Sequence, residues 1–201
     1  MEAKDIPARL LLGEQVLLCP PTLRRLEDMH GQICGFGEAH KYLGEWSQDR
    51  SLETCARSIL SLIDGFARDR EYVFHVIERG EGALVGSVGI HRTNAVLNCF
   101  HVGYWVGSGF MGRGYGTQAV ILARDFALQM LDPVRLEISA AKSNTASNRV
   151  AEKAGFCVEA VLKNYIHDHK GSPDASVVRI YPLSTGAHTP QHKGKSHLMS
   201  V

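Results

Sequence analysis

No run of apolar residues in this 201-residue chain approaches the roughly 20 that a membrane-crossing helix needs. The richest stretch, 119–131, is broken by Arg124 and Asp125. An excess of charge of one sign is also missing. Lys+Arg 22 against Asp+Glu 21 gives +1, which excludes nucleic-acid binding by bulk electrostatics. The five cysteines (Cys19, Cys34, Cys55, Cys99, Cys157) are odd in number, widely spaced and without a Cys-x-x-Cys pair. Neither a disulfide framework nor a zinc pattern fits them, so they read as reduced thiols of a cytoplasmic protein. Residues 1–5 carry acids and lack the basic, apolar, small-residue succession of a secretory signal. No internal repeat is present. With 44% hydrophobic residues the chain is not disordered in the main, and its length predicts one compact domain.

The hydrophobic period divides the chain into elements. Residues 1–12 read as a lead-in, 13–184 as the domain, and 185–201 as a disordered tail of Ser, Thr, Gly, Pro, His and Lys with little to bury. A first strand at 15–19 ends at Pro20-Pro21. Thr22 caps a helix over 23–34 and Ser51 opens another to 68, in which Cys55, Ile59, Leu62, Ile63 and Phe66 recur at helical spacing. Strands follow at 72–77, 84–90 and 100–106, with Gly80-Glu81-Gly82 turning between the first two. A helix over 115–131, a strand at 135–140, a helix opened by Ser143-Asn144 and closed by Gly155, and strands at 156–162 and 177–181 complete an α+β domain.

Glycine is raised, 20 residues or roughly 10% against an average of about 7%. The informative cluster runs Gly107-Ser108-Gly109-Phe110-Met111-Gly112-Arg113-Gly114-Tyr115-Gly116-Thr117, between a strand and a helix. Chain without bulky side chains lets backbone N–H groups converge, and a helix N-terminus adds roughly half a positive charge. Together they suit a phosphate or diphosphate. Gly107-x-Gly109-x-x-Gly112 matches the dinucleotide fingerprint, yet that motif belongs at a first strand and is followed by an acid closing the next one. Some hundred residues precede it here, and Glu137 sits inside its strand. A P-loop fails because no Gly-Lys-Ser/Thr follows.

A second pattern covers more of the chain. Gly112-Arg113-Gly114-Tyr115-Gly116-Thr117 resembles the diphosphate loop Gln/Arg-x-x-Gly-x-Gly/Ala of the GNAT family of N-acetyltransferases. Val102-Gly103-Tyr104-Trp105-Val106 is similar to that family's fourth strand, and Asn144-Thr145-Ala146-Ser147-Asn148-Arg149 with Gly155-Phe156-x-x-Glu159 to its next helix and strand. Gly-Tyr-Trp with Asn-x-x-Ser-Asn resembles the RimJ/RimL branch, whose members acetylate ribosomal-protein N-termini or small amines. The resemblance spans about 70–183. It implies a GNAT fold with a mixed, mostly antiparallel twisted sheet of about seven strands and about four helices. It also implies acetyl transfer from acetyl-CoA to a primary amine by direct attack in a ternary complex. By the same resemblance Tyr104, Trp105, Val106, Met111, Gly112, Arg113, Gly114, Tyr115, Gly116, Thr117, Asn144, Ser147 and Arg149 hold acetyl-CoA, with Lys153 near its phosphates. It leaves room for a homodimer, and neither a metal nor a membrane enters.

Two departures bear on the chemistry. Met111 replaces the polar first residue of the loop motif, and Ala151 stands where many members carry a tyrosine acid for the leaving thiolate. Ser147 is the replacement candidate for that acid. His101 occupies the place of a frequent glutamate base, and its ordinary pKa near 6.5 suits it to take an ammonium proton. Where the ribosomal branch has a glutamate base further on, this chain has Ile166, followed by His167, Asp168 and His169. Trp46, Tyr42, Glu45 and Tyr165 would form an aromatic, partly acidic acceptor lining for a cationic amine. His167-x-His169 lacks a third ligand, and His188, His192 and His197 lie in the tail, so no metal site is expected. Two other classes remain: a non-catalytic acyl-CoA-binding regulatory module and a dinucleotide-binding oxidoreductase.

Overall fold

A computed structural model of the chain describes residues 10–37, 42–43, 47, 49–167 and 171–183. Eight strands form one sheet in the order β1-β2-β3-β4-β5-β6-β8-β7. They are β1 (Leu11–Leu12), β2 (Val16–Cys19), β3 (Glu71–Glu78), β4 (Leu84–Asn94), β5 (Cys99–Val106), β6 (Arg135–Ala141), β7 (Cys157–His167) and β8 (Pro173–Ile180). The short β1 pairs with β2, so the sheet reaches into the stretch read as a lead-in and has eight strands rather than about seven. The proposed tail, 185–201, lies outside the described residues. Among the described residues four α-helices, α1 (Leu26–Cys34), α2 (Leu52–Ala67), α3 (Tyr115–Phe126) and α4 (Thr145–Lys153), match the expected number.

Local chemistry sets the helix boundaries. The Thr22 hydroxyl accepts from Arg24 N–H and opens a 3-10 turn that runs into α1, and the Ser51 hydroxyl caps α2 by accepting from Thr54 N–H. Helix α3 continues as a π turn over Ala127–Leu131 before Asp132, at φ +47°, ends it ahead of Pro133. The sheet sorts its side chains by alternation. Phe100 and Val102 of β5 are fully buried in the larger core beside Ala119, Val120, Ala123 and Phe126 of α3. Trp105, of opposite parity, packs toward Met29, Ile33 and Phe36 of the α1 side, its ring edge-on to Phe36 at 5.3 Å. Strand β4 is covered on both faces over Leu84–Ile90, which explains its unbroken run of small and apolar residues.

Pairing along β1–β5 is antiparallel, as it is between β6, β8 and β7. The two halves meet in the single parallel pair among the described strands. It joins Cys99, Phe100 and His101 of β5 to Arg135, Leu136 and Glu137 of β6, with α3 as the crossover. Beyond that three-residue seam the strands part.

Candidate active site

The parting creates the site. From Val102 to Val106, β5 pairs only with β4, so alternate residues present backbone N–H and C=O groups to the open side. Between β5 and β6 lies a cleft of about 1040 Å³, floored by Val102–Val106 and Ile138–Ala141. Of the residues expected to hold acetyl-CoA, every one but Arg113 lines this cleft. Arg113 is exposed and stacks its guanidinium 5.7 Å from the Phe110 ring. Arg149 and Lys153 supply cationic groups to the lining.

At one end stands the mouth of α3. Gly112 and Gly114 adopt φ +76° and +86°, a left-handed backbone that strains any residue with a Cβ. Gly114 is the N-cap and has no side chain to satisfy the helix. The first helical bond runs from Gln118 N–H to Gly114 C=O, so the N–H groups of Tyr115, Gly116 and Thr117 lack helical acceptors. No acid occupies the first turn to neutralise that end. The Gln118 side chain accepts from Gln15 N–H at 3.0 Å and Val16 N–H at 3.3 Å, pinning the helix mouth against β2. Gly116 works differently from its neighbours. A Cβ there would lie 3.1 Å from Tyr104 Cε2 and 3.3 Å from Val106 Cγ2, so this glycine admits the Tyr104 ring. The dinucleotide pattern has no such support. Gly107 and Gly109 have ordinary backbones ahead of the loop, and the sheet around them is antiparallel except at the seam.

Helix α4 forms the opposite wall. Asn144 is its N-cap, accepting from Ser147 N–H at 3.1 Å. Ser147 in turn receives the Tyr104 hydroxyl at 3.2 Å, across the cleft from β5. Burial pushes the Tyr104 phenol above its ordinary pKa. Asn148 donates to Ala141 C=O and Asn144 C=O, both at 2.8 Å, and accepts from the buried Arg179 of β8, which also bonds Glu152 at 3.0 Å. Arg179 Nε has no partner. Ala151 is buried and carries no hydroxyl, so the tyrosine acid that the resemblance implies has no counterpart at that position.

The acceptor end is the least legible from sequence. Tyr42 lines the cleft, while Glu45, Trp46, Asp168 and His169 lie outside the described residues. Tyr165 is 66% exposed and does not line it, although its neighbours Ile166 and His167 do. A bulge between Leu162 and Ile166, with Asn164 at φ +49°, resets the side-chain alternation there. Sequence reasoning missed Asp174 and Ser143. The Ser143 hydroxyl donates to Asp174 Oδ2 at 2.6 Å and lies 3.3 Å from Tyr42 Oη. Because a carboxylate only accepts, Tyr42 donates to Ser143 and Ser143 to Asp174. Bonds from Ser143 hold the Asp174 carboxyl below the usual range, so it stays anionic. Among the described lining residues it is the one carboxylate.

His101 does not line the cleft itself. Its Nε2 lies 3.0 Å from the hydroxyl of Ser139, which does. Burial pushes its imidazole below the ordinary value, with Glu137 opposing and His91 assisting, so the ring is neutral at pH 7. Among the described residues no group of three or more His, Cys, Asp or Glu side chains is placed to hold a metal, and no helix is long and apolar enough to cross a membrane.

Residues 15–157 match the family described as Acetyltransferase (GNAT) domain. "Probable N-acetyltransferase YjcK" of Bacillus subtilis (strain 168) is 31% identical over 100 residues, 49% of this chain and 55% of that protein. The chain spans about half the length of the curated relatives it matches. Among solved structures, the ribosomal L7/L12 alpha-N-protein acetyltransferase RimL in complex with coenzyme A superposes with a TM-score of 0.77 at 18% identity, over 86% of this chain and 98% of the other. The ribosomal-protein-S5-alanine acetyltransferase from Vibrio fischeri gives 0.76 at 17%, over 86% and 95%. At such identities these two likenesses speak to fold. The family match across residues 15–157, on a sheet that opens where the glycine loop meets its helix, makes the chain a member of the GNAT acetyltransferases.

Proposed function

We propose that this protein transfers the acetyl group of acetyl-CoA to the nitrogen of a primary amine by direct attack within a ternary complex. The observation that carries the reading is the parting of β5 from β6 after His101, with an uncapped helix mouth at one end and Ser147 on the wall. Unpaired β5 backbone groups suit the amide-bearing arm of CoA, and the free N–H groups of Tyr115, Gly116 and Thr117 suit its diphosphate. Arg149 and Lys153 answer the remaining phosphate charge. His101 takes the acceptor's proton by way of Ser139, and Ser147 hydrogen-bonds the leaving thiolate.

The acceptor enters beside Tyr42, Ser143 and Asp174, where a fixed negative charge favours an ammonium group. The names of the ribosomal-protein acetyltransferases of like fold favour a protein or peptide N-terminus as that amine. The test is calorimetric titration with acetyl-CoA, followed by thiol release across peptides of varied first residue, polyamines, aminoglycosides and amino acids. Binding with release on one class supports the proposal. Binding without release on every class identifies an acyl-CoA-binding regulatory module, and absence of sub-millimolar binding ends both readings.

A further inference from the structure

We propose that Tyr104 is the proton source behind Ser147, so that a phenol on the sheet and a hydroxyl on α4 form a two-step relay to the sulfur of the departing CoA. This rests on the acetyltransferase reading and on Ser147 as the group nearest the leaving thiolate.

Three observations carry it. The Tyr104 hydroxyl donates to Ser147 Oγ at 3.2 Å, which leaves the serine's own hydrogen free to swing toward a second acceptor. An aliphatic hydroxyl acting alone would end as an alkoxide, whereas backing by a phenol, even one that burial makes less acidic, ends the charge on a weaker base. Both partners are fixed. Tyr104 is wedged against Gly116, and Ser147 is held by the Asn144 cap beneath the Arg179–Asn148 bond. Finally, Ala151 lies one turn after Ser147, on the same face of α4. The phenol that the helix lacks at position 151 therefore arrives from β5, at the neighbouring hydroxyl.

In the step, the carbon–sulfur bond of the tetrahedral intermediate breaks and its electron pair stays on sulfur. The Ser147 proton passes to sulfur, and the Tyr104 proton passes to Ser147 Oγ. The attacking nitrogen loses a proton through Ser139 to His101, His101 releases it to solvent, and Tyr104 is restored by one proton from solvent, so the two exchanges cancel. Amine and thioester become amide and thiol, and nothing is oxidised or reduced. Burial of the Tyr104 phenol disfavours its anion and hastens that return.

The experiment compares wild type, Tyr104→Phe, Ser147→Ala and the double variant in single-turnover thiol release, with acetyl-CoA affinity measured on each. Phenylalanine keeps the ring that packs on Gly116, and a thermal melt checks that the fold is kept. The relay predicts a loss of about ten- to a hundredfold for Tyr104→Phe, within the span of acid catalysis. It also predicts unchanged acetyl-CoA affinity, a double variant no slower than Ser147→Ala, and a solvent deuterium isotope effect that shrinks in Tyr104→Phe. Wild-type rates in Tyr104→Phe, or losses that multiply in the double variant, overturn the relay. A Ser147→Ala enzyme as fast as wild type overturns the role of Ser147 and the relay with it. The broader acetyltransferase reading fails on a different result, a wild type that releases no thiol with any amine class, whatever the variants do.

Discussion

Gly109 and Gly114 lie five residues apart in one glycine-rich segment, and alanine at each has opposite consequences. At Gly114 the backbone sits at φ +86°, and a Cβ would meet only Gln15 Oε1 at 3.6 Å. Sterics therefore add nothing, and the cost is conformational, about 1–2 kcal/mol for an L residue held in the left-handed region. At Gly109 φ is ordinary and nothing lies within 4 Å of the added carbon, so the cost there is near zero. The Gly114→Ala penalty has two places to appear. If the free loop keeps its shape, the melting temperature falls by about 2–8 °C for a chain of this size. If the loop relaxes, the helix mouth must be rebuilt on binding, and the Kd for acetyl-CoA rises about 5- to 30-fold. Calorimetric titration and thermal melts on the two variants measure both shares. Gly114→Ala matching wild type in both readouts, or Gly109→Ala weakening binding equally, would refute the assignment of the diphosphate to this loop.

Three further outcomes follow from the geometry. If neutral His101 is the proton acceptor, its depressed pKa keeps kcat/KM on its plateau down to below pH 6.5, with a fall as the ring protonates; an acid limb that survives in His101→Ala assigns the titration to another group. Asp174→Asn should raise KM for a cationic acceptor about two- to fivefold, an effect that fades at high salt and leaves acetyl-CoA affinity alone; an unchanged KM at low salt removes Asp174 from the acceptor site. Arg179→Met leaves the Asn148 carbonyl without its donor beneath α4, so chemical denaturation should show a loss of about 1–3 kcal/mol; wild-type stability would show that α4 is held without this bond.

The elements that were legible in sequence carry their own local signals. Thr22, Ser51 and Asn144 each cap a helix where a short polar side chain precedes an apolar period. The glycine loop announced the helix mouth, although sequence treated its glycines alike, whereas Gly112 and Gly114 supply backbone angles and Gly116 supplies room for Tyr104. What was illegible is long-range. Neither the insertion of β8 between β6 and β7 nor the Tyr42–Ser143–Asp174 chain, joining residues 101 and 31 positions apart, leaves a periodic trace. Tyr165, expected in the acceptor lining for its aromatic ring, instead lies on a strand that runs on to His167 past a bulge that local composition does not reveal. The two-residue β1 is too short for any period to register.

The seam of three paired residues joining β5 to β6 has a consequence beyond the reaction. Two plates of sheet share little direct stitching, and a molecule lodged between them acts as mortar for the whole building. By mass action, tenfold more of a saturating guest adds about 1.4 kcal/mol to the resistance of the folded chain. Resistance of the chain to a protease in vitro should then rise with the concentration of acetyl-CoA supplied.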